Sequence, residues 1–304
     1  ATSGAAATLL GKIYLRNHDY ANAKTYIDMV LNSGQYELES DFKYVWSENN
    51  KYGKEMIFAL LHETGNNAAE IACHFGPSDH PEVPGRWQYY GVSLPFWRSY
   101  DKEDPRREFF YYDYTGDAKR DDQSDYGFHY MVPEEGVTVV PNDTTKYMQN
   151  VATMKYTYDM ISDAYYDGRT ICIFRLSDVI LCKAEIENNL NGPAAALPYL
   201  NQIRARAGAP EYGKHNRFPA PSTKEAMNDA ILKERGYELV FEFQRRADLI
   251  RFGKYEEVVN AHLKKLGIAQ PTNVTSSLRY FPYPLNDAQL NPNLAAENPS
   301  RLPK

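Results

Sequence analysis

The feature that most restricts the fold is a spacing of small and apolar residues that occurs twice in the chain. The matching positions are Gly11, Ala23, Ile27 and Val30 in the first segment and Ala184, Ala196, Leu200 and Ile203 in the second. Apolar residues at helical intervals give each helix one buried face, and small residues allow two helices to pack closely. The spacing therefore predicts two helical hairpins, one over 2–33 and the other over 174–189 and 193–207.

These intervals are typical of tetratricopeptide repeats, which stack helical hairpins on one another. Such repeats are stabilised by their neighbours, and about three are normally needed. Because more than 130 residues of other sequence separate the two hairpins, we expect a repeat scaffold interrupted by a long insertion.

The stretch 222–254 predicts one long helix near the end of the scaffold. Ser222 and Glu225 have capping-box spacing, and Gly253 stands where a helix ends. The stretch is dense in charged residues. Two interpretations are open for this charge: an active site, or ion pairs that tie the helix to its neighbours. We favour ion pairs, because structural ion-pair networks outnumber catalytic ones.

Composition excludes some classes of protein. The net charge of −6 argues against nucleic-acid binding, which needs a basic surface. No apolar run approaches the roughly 20 residues of a membrane span. Cys172 and Cys182 lie in apolar sequence predicted to be helical and are expected to be buried thiols. The chain has 25 tyrosines and only 3 tryptophans, and tyrosine, which combines a flat apolar face with a polar tip, favours a binding protein.

Several motifs resemble those of the SusD/RagB family. The C-terminal part carries ERGYELVFE at 234–242, RADLIRFGK at 246–254 and RYFPYP at 279–284; further matches are DPRR at 104–107, FRLSDVIL at 174–181 and LNQIRARAG at 200–208. Ala247 stands where the family usually has an aromatic residue. The resemblance implies a lipid-anchored nutrient-binding protein of the Bacteroidetes outer membrane, mainly α-helical, with tetratricopeptide-like hairpins and an irregular loop-rich insertion. It also implies a SusC-like TonB-dependent transporter as partner and no cofactor. Relative to the family, we expect the lipid anchor and another repeat in a segment that precedes this sequence.

The chain divides into four predicted parts. They are a hairpin at 1–35, an irregular insertion with the ligand site at 36–170, a second hairpin plus long C-terminal helices at 171–266, and an extended proline-rich tail at 267–304 that packs on the scaffold. The tail is expected to lack regular structure because prolines fix φ and remove hydrogen-bond donors.

The candidate ligand site lies in the aperiodic segment 62–91. Aromatic and polar side chains cluster there: Phe75, Trp87, Tyr89, Tyr90, Arg86, Gln88, Asn66 and Asn67. A sugar presents an apolar C–H face and a rim of hydroxyls, so aromatic platforms beside amide or guanidinium groups match both of its parts. The alternative is that these aromatic residues hold the loop onto the scaffold.

Metal and catalytic chemistry have weaker support. His74 and His80, near Asp79, are weak candidates for metal ligands. A run of aspartates (Asp113, Asp117, Asp121, Asp122 and Asp125) invites a calcium site, but its spacing does not match a calcium loop. We favour a solvated acidic turn. The chain has no nucleophile elbow, phosphate loop or zinc-binding helix motif, so a hydrolase is the less favoured class.

Two functions remain open. The first is non-catalytic binding of an oligosaccharide or polysaccharide at a cell surface and its delivery to the transporter. The second is a tetratricopeptide-type adaptor or peptide-uptake component that binds peptide or protein on the hairpins.

Overall fold

The computed structural model describes residues 1–65, 68–77, 80–83, 87–116, 128–135, 145–159, 167–266, 274–279, 281–291 and 293. Most of the regular structure in these ranges is helical. The α-helices are α1 (Ser3–Arg16), α2 (Tyr20–Leu31), α3 (Ile71–Phe75), α4 (Leu94–Trp97), α5 (Leu176–Asn191), α6 (Pro193–Arg206), α7 (Lys224–Glu238), α8 (Arg245–Arg251), α9 (Tyr255–Lys265) and α10 (Leu285–Leu290). The strands are β1 (Met56–Leu60), β2 (Val92–Ser93), β3 (Phe110–Tyr111), β4 (Asp113–Thr115), β5 (His129–Met131), β6 (Thr145–Tyr147), β7 (Asn150–Thr153) and β8 (Ile171–Arg175).

The first predicted hairpin is confirmed as α1 and α2. Thr2 caps α1 by accepting a hydrogen bond from the Ala5 amide, and Asp19 caps α2 by accepting one from the Asn22 amide. Gly11 brings the two helices together, since a Cβ on it would lie 2.8 Å from Ile27 Cδ1. The small residue of the repeat pattern is therefore required by close helix packing.

The second hairpin is also confirmed, as α5 and α6. Gly192 joins them at a φ of 91°, a backbone conformation that favours glycine, and Pro193 begins α6. Helix α5 packs against α2 on one side and against α6 and α7 on the others. The two hairpins thus stack directly, although the insertion separates them in sequence, and the fold is mainly α-helical with tetratricopeptide-like hairpins.

Short strands in the insertion connect it to the scaffold. The apolar run 56–60 predicts a short strand, and the structure has β1 there. Strand β1 pairs with β8 in antiparallel fashion, with shifts of register near Phe58. Strand β7 lies between β2 and β3, while β5 lies between β4 and β6. Cys172 is buried as expected, but it lies in β8 rather than in a helix.

The predicted long helix over 222–254 is wrong, because the chain turns after Glu238. Phe241 and Phe243 have φ angles of 61° and 60°, which no α-helix accommodates. The Glu238 carbonyl accepts hydrogen bonds from Lys155 Nζ and Arg175 Nη2, both at 2.9 Å. These two buried cations thus donate to a carbonyl that a backbone amide of the next helical turn would otherwise reach. The N-terminal cap is also shifted by one residue, from Ser222 to Thr223.

The acidic residues of α7 form a buried ion-pair network, as the favoured interpretation predicts. Glu238 lies 2.7 Å from Arg175 and 3.0 Å from Arg106 and also pairs with Arg206. Burial by itself raises the pKa of Glu238, but attraction to Arg206, Arg175 and Arg106 outweighs it and holds the pKa well below the usual value. Glu234, one turn earlier, pairs with Arg106 at 2.6 Å. Through these pairs α7 is joined to the insertion, to β8 and to α6 of the second hairpin.

The described residues form two compact units, 1–242 and 243–304. The second contains α8, α9 and α10. In it, Arg279 pairs with Glu256 at 2.6 Å, and the Arg246 guanidinium lies 4.2 Å from the centre of the Phe281 ring. Helix α10 contradicts the expectation of an irregular tail, because no proline falls inside 285–290. The four-part division of the chain remains a prediction.

None of the helices in the described ranges has both the length and the apolar character needed to cross a membrane.

Candidate functional site

The candidate site is built on α3, whose start is fixed by a buried carboxylate. Asp167 is fully buried; its backbone pairs with Ala69, and its Oδ2 accepts a hydrogen bond of 2.8 Å from the Ala72 amide. Burial raises the pKa of Asp167, although the bonds from the Ala72 and Arg169 amides oppose that rise. The helix that carries the site is therefore fixed to the strand-like segment at Asp167, near the other end of the insertion.

Two backbone hydrogen bonds tie residues 87–90 to α3. The Trp87 amide donates to the Cys73 carbonyl at 2.8 Å, and the Tyr90 amide donates to the His74 carbonyl at 3.1 Å. Gln88, between them, has a φ of 46°. Because its backbone is anchored at both ends, this part of the loop presents its side chains in a defined arrangement.

Three aromatic rings form an exposed surface on this loop. Trp87 is 40% exposed, Tyr89 65% and Tyr90 53%. The Trp87 and Tyr89 ring centres lie 5.4 Å apart, with their planes inclined by 36°. We call these three residues the aromatic surface. Exposed aromatic residues in contact with one another are a feature of binding sites. Burying such rings would stabilise the fold, so their exposure indicates a role in binding.

His74 lies at the centre of the aromatic surface. Its ring centre is 5.2 Å from that of Trp87, 5.3 Å from that of Tyr89 and 6.3 Å from that of Tyr90. The sequence singles out His74 only as a weak metal ligand, and it does not predict this contact with all three rings. The signal available was its position next to Phe75, in the segment that carries the other aromatic residues.

Phe75 lies beneath the site rather than on its surface, which corrects its prediction as a ligand-binding residue. It is 4% exposed, and its ring contacts Tyr156 at 4.7 Å and Phe241 at 5.0 Å between centres. The ring also lies 5.1 Å from that of Tyr90. Phe75 follows His74 on a helix and faces the core, so it supports the aromatic surface from below.

A polar pair borders the aromatic surface. Gln88 Nε2 donates a hydrogen bond to Asn150 Oδ1 at 3.1 Å. Gly91 allows this approach, because a Cβ on it would lie 2.8 Å from the same oxygen. The structure therefore brings together Trp87, Gln88, Tyr89 and Tyr90 from the predicted set and adds Asn150, which lies on β7.

Three predicted site residues, Asn66, Asn67 and Arg86, lie outside the described residues, as does Asp79. The same holds for Asp117, Asp121, Asp122 and Asp125 of the acidic run. Its remaining member, Asp113, lies 2.6 Å from His129 Nε2. His80 contacts two other rings, Tyr111 at 4.8 Å and Tyr114 at 4.9 Å. Within the described ranges, no three His, Cys, Asp or Glu side chains lie close enough together to hold a metal ion.

The arrangement suits a ligand with both apolar and polar faces. The rings provide apolar contact area, while the Gln88 and Asn150 amides provide hydrogen-bond donors and acceptors at the border. Rings and amides of this kind are suited to binding and orienting a ligand rather than to nucleophilic or acid–base chemistry.

Part of the chain is similar in sequence to curated proteins of Formosa agariphila. Over 120 residues the chain is 39% identical to SusD-like protein P25 of Formosa agariphila, a match that covers 40% of the chain and 22% of that protein. A longer match, at 25% identity to SusD-like protein P2 of the same organism, covers 97% of the chain and 58% of that protein. The chain thus corresponds to little more than half the length of such proteins.

Solved structures have the same fold. A SusD homolog from Bacteroides thetaiotaomicron superposes with a TM-score of 0.73 at 25% identity, covering 94% of this chain and 62% of that one. Surface glycan-binding protein A of the same species, in complex with laminarihexaose, gives a TM-score of 0.65 at 20% identity, covering 95% and 62%. The family model for the SusD family matches residues 54–300. The chain belongs to the SusD family.

Proposed function

We propose that this chain is the glycan-binding region of a cell-surface protein that binds an oligosaccharide or polysaccharide without cleaving it. The observation that carries the proposal is the aromatic surface, with three rings between 40% and 65% exposed on a loop anchored to α3. The structural neighbour that was solved with laminarihexaose supports the same class of ligand.

The physical basis is the match between aromatic rings and pyranose sugars. One face of a sugar ring is lined by C–H groups, and placing it on Trp87 or Tyr89 removes apolar area of both partners from water. Its hydroxyls then lie at the edge of the ring, where amides such as those of Gln88 and Asn150 satisfy them. A buried hydroxyl without such a partner would cost free energy.

The proposed role of the whole protein is nutrient uptake. In this role a protein attached to the outer membrane by a lipid anchor holds the glycan at the cell surface and passes it to a SusC-like TonB-dependent transporter. Membership of the SusD family supports this proposal. Neither cofactor nor catalysis is required, because the protein binds and transfers the glycan unchanged.

The experiment that tests the proposal is calorimetric titration with four hexasaccharides that differ in sugar or linkage: laminari-, malto-, cello- and xylohexaose. We expect at least one to bind and Trp87→Ala to weaken that binding by about tenfold or more, since a central aromatic anchor is worth upwards of about 1.4 kcal/mol. Tyr52→Ala is the matched control, because Tyr52 is an aromatic residue that is 73% exposed elsewhere on the chain. Binding that survives Trp87→Ala unchanged would move the site away from the aromatic surface.

The second candidate, peptide binding, is favoured by a groove on the scaffold. A cavity of about 410 Å³ lies between α2, α5 and α6, within the size range of ligand pockets. Its lining includes the apolar residues Leu176 and Ile180 and the amide-bearing residues Asn32 and Gln202. Peptide binding that is reduced by Gln202→Ala and unaffected by Trp87→Ala, with no hexasaccharide binding, would favour this candidate over the glycan.

A further inference from the structure

The hydrogen bonding of His74 fixes which of its ring nitrogens is available to a ligand. His74 Nδ1 is hydrogen-bonded to the backbone carbonyl of Glu70. A carbonyl oxygen only accepts hydrogen bonds, so Nδ1 carries the proton. In the neutral ring the lone pair is therefore on Nε2, on the opposite side of the imidazole and directed away from the α3 backbone.

Among the residues that the structure describes, that lone pair has no hydrogen-bond partner. No described residue makes a hydrogen bond with His74 Nε2. In the described part of the chain Nε2 is thus an uncommitted acceptor, on a half-buried ring that contacts Trp87, Tyr89 and Tyr90.

We propose that His74 is a specificity-determining residue of the site and that its Nε2 accepts a hydrogen bond from one hydroxyl of a sugar bound on the aromatic surface. This inference rests on the proposed glycan binding. The rings contact the apolar face of any pyranose and discriminate weakly among sugars. A single fixed acceptor at their centre selects sugars that place a hydroxyl at that point, because a sugar without it leaves Nε2 desolvated and unpaired.

The test compares His74→Phe with the wild-type chain, using the same four hexasaccharides. Phenylalanine keeps an aromatic ring against the three neighbours but has no nitrogen. We expect the dissociation constant of the best-bound hexasaccharide to rise about 3- to 10-fold, as for the loss of one hydrogen bond. We also expect the four dissociation constants to become more similar to one another, because the variant discriminates less among the sugars. His80→Phe is the matched control, because His80 also packs between two aromatic rings but contacts Tyr111 and Tyr114 instead.

Acrylamide quenching of tryptophan fluorescence separates this role from a purely structural one. Trp46 and Trp97 are only 6% and 5% exposed, so quenching reports mainly on Trp87, which is 40% exposed. Weaker binding by His74→Phe with unchanged quenching supports the inference. Unchanged affinity overturns it, as does a loss of affinity that is accompanied by altered quenching. If the wild-type chain binds none of the hexasaccharides although quenching shows that Trp87 is accessible to solvent, the proposed function itself fails, and the inference fails with it.

Discussion

Arg175 and Glu238 form an ion pair in the core, with Nη1 2.7 Å from Oε1 and side chains that are 2% and 3% exposed. Arg175 also contacts Glu55 at 2.6 Å and Glu242 at 2.7 Å. It therefore connects β8 with the residue that precedes β1 and with the end of α7, and its charge compensates several buried carboxylates at once.

Replacing Arg175 by Met is expected to lower the free energy of unfolding by about 3–5 kcal/mol, because Glu55, Glu238 and Glu242 stay buried but lose part of their compensating charge. Urea denaturation measures the change. Lys54→Met is the control, since the pair of Lys54 with Glu37 is 73% and 70% exposed and such surface pairs contribute at most about 1 kcal/mol. Equal effects of the two substitutions would contradict a structural role for the buried network.

The Asp178 carboxyl is expected to make the free energy of unfolding depend on pH. Burial alone raises the pKa of this carboxyl, but Lys12 and Arg235 lie against it and lower the pKa well below its ordinary 3.8. As pH falls below about 4, the unfolded chain takes up this proton before the folded chain does, so the stabilisation is lost. We expect Asp178→Asn to be less stable than wild type at pH 6 and the difference in unfolding free energy to shrink as pH falls through 4 toward 3. A difference that stays constant or grows over that range would refute the assignment.

Phe241 and Phe243 have nearly the same strained backbone but different surroundings. Their φ angles are 61° and 60°, in a region that costs a non-glycine residue about 1–2 kcal/mol. Phe243 is 72% exposed, whereas the Phe241 ring packs against Phe75 at 5.0 Å.

Glycine at 243 is therefore expected to raise the free energy of unfolding by up to about 1 kcal/mol, since it relieves strain and removes little packing. Glycine at 241 is expected to lower it by about 2 kcal/mol or more, because the loss of a packed ring outweighs the relief. Thermal unfolding of both variants tests the pair. If glycine at 243 also lowered the free energy of unfolding, the strain at Phe243 would be insignificant.

Local patterns predicted the parts of the fold that depend on neighbouring residues in sequence. The hairpins followed from the spacing of Gly11 and Ile27, and strand β1 from a short apolar run. The end of α7 did not follow, because it depends on Lys155 and Arg175, which come from distant parts of the chain. Periodicity carries no information about such contacts.

The candidate site shows the same limit. The composition of the loop indicated that aromatic residues gather there, and three of the four aromatic residues are exposed together. It did not indicate that Phe75 faces the core or that His74 contacts the other rings. Both outcomes depend on the orientation of helix Ile71–Phe75. That orientation is fixed by a hydrogen bond to Asp167, which lies far away in the sequence.

Gly91 and Asn150 provide a test of how the loop is positioned. A Cβ at residue 91 would lie 2.8 Å from Asn150 Oδ1, the atom that accepts the hydrogen bond from Gln88. We expect Gly91→Ala to displace this amide, break the bond and weaken hexasaccharide binding about 2- to 5-fold while the protein stays folded. Asn150→Ala removes the same bond and should weaken binding by a similar factor. Because both substitutions act through one contact, the double variant should bind no more weakly than either single one. Calorimetric titration of the four proteins measures this, and additive losses would show that Gly91 positions the loop by another route.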